Sequence, residues 1–403
     1  MANVPFFRPD IREAEINEVA ETLRSGWLTT GPRTKRFAVE FATAVGGQHA
    51  VPVNSCTAAL HVAVVALGLK RGDAVLVPSM TFAATAEVVC YLGAYPVLVD
   101  CDPHTLSMDP DDAAAKIKDL AAGHLPIPAD APLAGMLPVH VGGLMLDVDR
   151  MNAVATDNDL WVVEDAAHAF PAAWRADENA TWQRCGENTS KVACFSFYAN
   201  KTITTGEGGM AVTEDEALAA EMRNLSLHGL SSDAWGRYNI KGSWDYRILR
   251  PGFKYNLTDV ASAIGLHQLA RAEEMRQERQ QIAETYLERF AGLDELELPP
   301  WPPNRLHAWH LFQIKLRPST MKKIHRDDFI VELRQRGIGT SVHWRPLHVH
   351  PYYEDVGWRP EHLPVATEAW ERTISLPIFP GMTAEEIDAV SDAVVEICRA
   401  NKA

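Results

Sequence analysis

The sequence lacks the sites that most often announce a function: no GxxxxGK[ST] phosphate loop, no GxGxxG after a strand, no GxSxG elbow and no HExxH pair. Cysteine is sparse and scattered. Cys56, Cys90, Cys101, Cys185, Cys194 and Cys398 include no CxxC pair, so neither a disulfide framework nor a thiolate metal site is indicated, and buried free thiols are expected. No run of about 18 apolar residues occurs, which gives no membrane-spanning helix. The opening MANVPFFRPDIREAEINEV lacks the basic flank and apolar core of a signal peptide, so a cytoplasmic protein is expected. Positive charge is also short: 38 Lys and Arg stand against 53 Asp and Glu, a formal net charge of −15. That balance repels polyanions and argues against nucleic-acid binding, so a phosphorylated ligand must be met by local donors. There is no internal repeat and no low-complexity tract.

What is present is an alternation. The apolar runs AVLVPS (74–79), PVLVD (96–100), GMLPVHV (135–141) and LWVVED (160–165) are separated by stretches with helical character. This predicts crossover units and a mostly parallel sheet covered on both faces. Ligands gather at the carboxyl ends of such strands, which directs attention to Asn54, Ser79, Asp100, His140 and Asp165. From Thr258, a predicted N-cap, to about 293 the chain is strongly helical and polar on one side. The remainder, with WHLFQIKL (309–316), a helix near 326–336, ISLPIFP (374–380) and a closing helix from Thr383, suits a small α/β domain. The expected division is a large domain over 1–257, then a connecting helix and small C-terminal domain over 258–403.

Three short stretches could carry chemistry. In VEDAAH, Asp165 closes an apolar strand and His168 follows three residues later. A carboxylate there suits a cationic ring nitrogen such as that of pyridoxal phosphate, and equally suits capping of the next helix. In NSCTAAL (54–60), small polar residues open a helix after a strand, which makes either a phosphate turn or an ordinary cap. In FSFYANKTITTGEGG (195–209), Ser196 precedes Lys201 by five residues. The lysine is either a Schiff-base amine that also moves protons or a solvated charge at a strand end. His343, His348 and His350 lie close in sequence, but no carboxylate or cysteine stands at matching spacing, so no metal site is expected.

Taken in chain order, a phosphate turn, an aromatic after a strand (Phe82), a strand-end Asp and, 36 residues later, a Ser–Lys–Gly-rich run resemble the fold-type-I pyridoxal phosphate (PLP) enzymes. More narrowly, GWLTTGP, VEDAAHA, FSFYANKTITTGEGGM, HGLSSDAW, PGFKYNLTDV, AWHLF and RGIGTSVHWRPLH resemble the DegT/DnrJ/EryC1/StrS sugar aminotransferases over nearly the whole chain. The wording of LSLHGLSSDAW, PGFKYNLTD and RGIGTSVHW is most similar to the branch that makes UDP-4-amino-4-deoxy-L-arabinose. The resemblance implies an α/β fold with a mostly parallel, mixed seven-stranded sheet between helices and a smaller C-terminal α/β domain. It implies PLP as cofactor and Lys201 as the Schiff-base lysine. Asp165 would pair with the pyridinium nitrogen, and His168 would lie near the phenolic oxygen. Phe82 and Ala167 would face the two sides of the ring. The phosphate would take the N–H groups of Thr57 and Ala58, the Ser196 hydroxyl, and Asn256 from a second subunit of a homodimer. Thr29, Gly31, Tyr198 and His343 would touch substrate. The implied reaction moves an amine from an amino acid, L-glutamate by resemblance, to a nucleotide-linked 4-ketosugar. Arg250 and Lys254 are candidates by position for reading the donor carboxylate.

Three places depart from the usual family wording: Cys56 stands for Gly or Ala, Tyr198 for His, and Phe170-Pro171 for small residues. A PLP-dependent sugar dehydratase of the same family is the alternative enzyme, and Lys201 argues against it because such members carry histidine there. A relative that has lost catalysis is the non-enzymatic alternative.

Overall fold

The computed structural model describes residues 3–230, 247–321 and 324–402. Its centre is a seven-stranded sheet made of β1 (His49–Val53), β2 (Ala74–Pro78), β3 (Tyr95–Val99), β4 (Leu133–Met136), β5 (Trp161–Asp165), β6 (Val192–Ser196) and β7 (Gly209–Thr213). The spatial order is β1-β7-β6-β5-β4-β2-β3. Only β7 runs antiparallel to its neighbours; the pairs β6–β5, β5–β4, β4–β2 and β2–β3 are parallel. Helices cover both faces, which is why Ala74–Pro78 and Gly209–Thr213 are buried at every position. Register is set by complementary sizes. Gly135 lies opposite Trp161, and a Cβ there would sit 2.2 Å from the indole.

A second, antiparallel sheet comprises β8 (Leu296–Glu297), β9 (Phe312–Leu316) and β10 (Thr373–Leu376), with β9 in the middle. It has its own apolar core with Phe290, Phe312, Ile374 and Val394. Val4 joins that core through a bridge to Ile338, so the start of the chain packs against its last third. Conversely, Leu266, Leu347, Trp358 and Leu363 pack into the core of the large sheet. Among the described residues no helix is long and apolar enough to cross a membrane.

The helical stretch beginning at Thr258 is two helices, Asp259–Ala270 and Ala272–Phe290. The expected cap is present, with the Thr258 side chain accepting from the Ala261 N–H. The break falls at Arg271, which leaves helical geometry at φ −109°, ψ 6°. Its guanidinium reaches Asp10 at 2.6 Å and the buried Glu15 at 2.7 Å. The closing helix Ala384–Asn401 opens with a capping box between Thr383 and Glu386.

Candidate active site

A cavity of about 550 Å³ opens at the carboxyl ends of β1, β2, β5 and β6, the position that a parallel sheet reserves for ligands. Its floor is Asp165, the last residue of β5. The Thr85 hydroxyl donates to Oδ2 at 2.8 Å and the Ala167 N–H to Oδ1 at 3.1 Å. The Cys56 thiol lies 3.9 Å from Oδ1 and donates to the Cys194 carbonyl at 3.3 Å. Burial pushes the Asp165 carboxyl above the usual carboxylate range, against the Thr85 and Ala167 donors and the Lys201 charge that favour ionisation. A carboxylate so placed is stabilised by a cationic N–H donor.

Lys201 sits on the opposite side, in the turn between β6 and β7. Burial pushes its amine down to about 8, which makes a neutral, nucleophilic amine accessible near neutral pH. Its Nζ lies 3.4 Å from His310 Nε2. His168, also buried, accepts the Gly142 N–H at Nδ1 over 3.3 Å. Its proton therefore lies on Nε2, and burial keeps the ring neutral. His343 lines the same cavity. Its Nδ1 meets the Ser375 hydroxyl at 2.9 Å, Phe6 stacks on it, and burial lowers it to about 4.

The phosphate turn follows β1. Ser55 caps the helix Cys56–Ala66, its hydroxyl accepting the Ala58 N–H at 3.0 Å. The Ala58 donor is thus committed to the cap. The N–H groups of Cys56 and Thr57 have no acceptor inside the helix and remain for an anion. The turn fits only because β7 starts with glycine: a Cβ on Gly209 would lie 2.4 Å from the Ser55 carbonyl. Ser196, Ala167 and Phe82 line the cavity beside it, and Phe82 is 63% exposed. Tyr198 lines the outer edge at 47% exposure.

The cavity thus brings together Thr57, Phe82, Asp165, Ala167, His168 and Ser196, with Tyr198, Lys201 and His343 also on its walls. Thr29, Gly31 and Asn256 do not line it. They form a unit of their own, in which the Asn256 amide donates to the Thr30 hydroxyl at 2.8 Å. Buried Asp259 accepts from the N–H groups of Gly31 at 2.7 Å and Thr34 at 2.9 Å, capping the helix Pro32–Val45 from a distance of more than 220 residues in sequence. Arg250 is paired with Glu221, and Lys254 with the Asn256 side chain, away from the cavity. Ser231–Trp235 of the HGLSSDAW motif lie outside the described residues.

Of the five polar positions expected after strands, Asp165 alone lines the cavity. Ser79 meets His348 at 2.7 Å, and Asp100 caps the helix Pro364–Arg372 through the N–H groups of Val365 and Ala366. The Asn54 backbone N–H is tied to the Tyr255 carbonyl. His140 lies near Glu164 and Cys185, all buried, with Nε2 3.6 Å from Glu164. The Leu146 N–H donates to His140 Nδ1, so Nε2 carries the proton, where a metal ligand would need a bare lone pair. His343, His348 and His350 have separate partners: Ser375, Ser79 with Thr367, and the Arg345 carbonyl. The sequence reading missed Thr85, Asn200, Trp344 and His310. Asn200 precedes Lys201 and His310 is the centre of AWHLF, so the motifs held a signal without assigning it a role.

A protein-family model for the DegT/DnrJ/EryC1/StrS aminotransferase family matches residues 9–395. The chain belongs to this family. It is 40% identical over 398 residues to the spore coat polysaccharide biosynthesis protein SpsC of Bacillus subtilis, covering 98% of this chain and 97% of that protein. It is 42% identical over 400 residues to the uncharacterized protein MJ1066 of Methanocaldococcus jannaschii, covering 99% and 98%. Among solved structures, the PLP form of the putative sugar aminotransferase Spr1654 from Streptococcus pneumoniae superposes with a TM-score of 0.87 at 31% identity, covering 99% of both chains. The protein is a sugar aminotransferase of fold type I, and pyridoxal phosphate is the cofactor of its family. The donor set of this chain fits that cofactor. Asp165 is a buried carboxylate suited to a ring N–H, the helix start at Cys56 and Thr57 offers anion donors, and the Lys201 amine loses its charge easily.

Proposed function

We propose that this aminotransferase moves an amino group from L-glutamate to C4 of a nucleotide-linked 4-ketosugar, giving a 4-amino-4-deoxy sugar nucleotide in two alternating half-reactions. The observation that carries the reading is the pairing, in one cavity, of a lysine amine lowered to about 8 with a buried carboxylate raised above its usual range. Groups displaced in opposite directions are how a single site runs acid and base chemistry near neutral pH.

Pyridoxal phosphate, when bound, supplies an aldehyde that takes up amines covalently and a ring that accepts the electron pair left when a C–H bond breaks. Lys201 is the amine that holds it between turnovers and, once displaced, carries a proton off the donor's α-carbon and later delivers one at sugar C4. Asp165 keeps the ring nitrogen protonated, and Thr85 and Ala167 fix that carboxylate. His168 offers Nε2–H to the phenolic oxygen. Thr57 and Ser196 hold the phosphate, with Ala58 acting through the helix start rather than by its own committed N–H. Phe82 and Ala167 bound the ring on its two faces.

The site is completed by a second copy of the chain. Asn256 reaches the phosphate of the partner's site, and Thr29 and Gly31 touch the partner's sugar substrate. This accounts for a unit that is held by its own hydrogen bonds yet does not line the Lys201 cavity of its own protomer, and for the exposure of Phe82 and Tyr198 at that cavity. Tyr198 and His343 contact the sugar from within the protomer. By likeness of motif the sugar is a UDP-linked 4-ketopentose, and the name of the SpsC relative supports a product destined for a polysaccharide. We place the enzyme in the cytoplasm, where nucleotide sugars are made.

Incubation with L-glutamate and a panel of UDP-, dTDP- and GDP-linked 4-ketosugars tests this directly. Formation of 2-oxoglutarate together with an aminated sugar nucleotide is expected for a UDP-linked substrate. Loss of a sugar hydroxyl without amine transfer would instead assign the dehydratase reaction.

A further inference from the structure

Among the described residues, the one side-chain partner within hydrogen-bonding reach of Lys201 Nζ is His310 Nε2, at 3.4 Å. His310 comes from the last third of the chain and is 4% exposed. Its backbone is held from two directions. The buried Arg279 guanidinium donates to the carbonyls of Trp309, His310 and Ile378 at 3.2, 3.5 and 2.6 Å. The Leu311 N–H donates to the Gly142 carbonyl at 3.1 Å. The imidazole itself packs against the His168 ring, with centroids 4.2 Å apart.

The Nδ1 atom of His310 is buried and has no hydrogen-bond partner. A buried N–H without an acceptor is rarer than a bare lone pair, which puts the ring proton on Nε2, facing the amine. The other titratable and charged groups around Lys201 are Asp165 on β5, Cys56 at its helix start, Arg279, His168 and His343. The thiol stays protonated and the histidines neutral, since burial opposes charge on each. Asp165 favours an ammonium and Arg279 opposes it. Burial is the largest influence and lowers the amine, but it does not fix where the lone pair points, which a directed hydrogen bond does.

We propose that His310 is the positioning residue of Lys201: its Nε2–H donates to the amine lone pair, holding the amine neutral and aimed into the cavity until it must take up a proton. This rests on Lys201 being the reacting amine. The test needs no turnover, so its failure is separate from failure of the proposed reaction.

Cofactor-free protein is pulse-labelled with an amine-acetylating reagent between about pH 6 and 11 (the range that brackets the lowered and ordinary lysine values), and modification of Lys201 is followed by peptide mass spectrometry. The readout is the labelling rate at pH 7 relative to the high-pH plateau of the same protein, which cancels differences in access. For His310→Leu this ratio should fall about tenfold, a midpoint shift of about one pH unit. For His310→Gln, whose amide N–H can donate in the same place, it should stay within about threefold of wild type. An unchanged or increased ratio in His310→Leu overturns the proposal. If that variant does not fold, 15N spectra of wild-type protein labelled at histidine decide: the His310 Nε2 should be of the protonated type, and a protonated Nδ1 in its place would contradict the assignment.

Discussion

The Thr85 hydroxyl and the Asp165 carboxylate meet at 2.8 Å in a buried position, joining the helix Ala84–Tyr91 to the end of β5. This contact holds the carboxylate in place and offsets part of the cost of burying it. Thr85→Val keeps the shape and removes the donor. Affinity for pyridoxal phosphate should weaken by roughly 1–2 kcal/mol, about five- to thirtyfold, in a titration followed by absorbance. Unchanged affinity would show that Asp165 needs no such support.

Replacing Asp165 with Asn should leave the cavity shape intact and cost activity by about a hundredfold or more, the scale on which one buried electrostatic contact contributes to catalysis. Steady-state kinetics of each half-reaction check this. A variant within a few-fold of wild type would remove the ring-nitrogen role.

Acid should loosen the site through its histidines. The His343 value of about 4, against an ordinary 6.5, means the unfolded chain takes up its proton first. Stability contributed by the neutral ring is therefore complete above about pH 6.5 and is lost as pH falls towards 4. His343→Gln should flatten the decline of the apoprotein's denaturation midpoint between these pH values. An identical decline in both proteins would contradict the burial-driven shift.

Lys201 gives the same sign at higher pH. Its folded value of about 8 lies below the ordinary 10.5, so folding disfavours the ammonium, and that penalty is present below about pH 8 and gone above 10.5. Cofactor-free Lys201→Met should melt higher than wild type at pH 7, by about 2 °C or more, and the gap should close as pH rises from 8 to 10.5. A gap independent of pH would mean that it reports packing alone.

Asp259 is tested by stability. Asp259→Ala strands the N–H groups of Gly31, Arg33 and Thr34 at the start of the helix Pro32–Val45 and should cost about 2 kcal/mol or more in urea denaturation. A cost below about 0.5 kcal/mol, the level of an ordinary surface change, would show that water replaces the cap.

Much of this was legible in the sequence because it is local. The runs at 74–79, 96–100 and 160–165 became β2, β3 and β5 with shifts of one residue at one or both ends. Thr258 caps its helix as expected, and the closing helix expected from Thr383 begins at Ala384 with Thr383 as its cap. GMLPVHV ended early, since β4 stops at Met136 and Pro138 has no N–H to continue a ladder. What was not legible depends on contacts between distant segments. Asp259, which nothing in its local sequence singles out, caps a helix that begins at Pro32. Thr85 and His310 became site residues only when the sheet and the last third of the chain brought them to Asp165 and Lys201. Ala58 looked free for phosphate until the Ser55 cap claimed its N–H.

The central claim, that Lys201 is the covalent amine of a PLP site, is tested most directly by borohydride reduction of the cofactor-loaded protein followed by peptide mapping. The account predicts loss of the yellow band near ~410–420 nm and one phosphopyridoxyl group, on Lys201. A group on any other lysine, or no stable adduct from yellow protein, would contradict it.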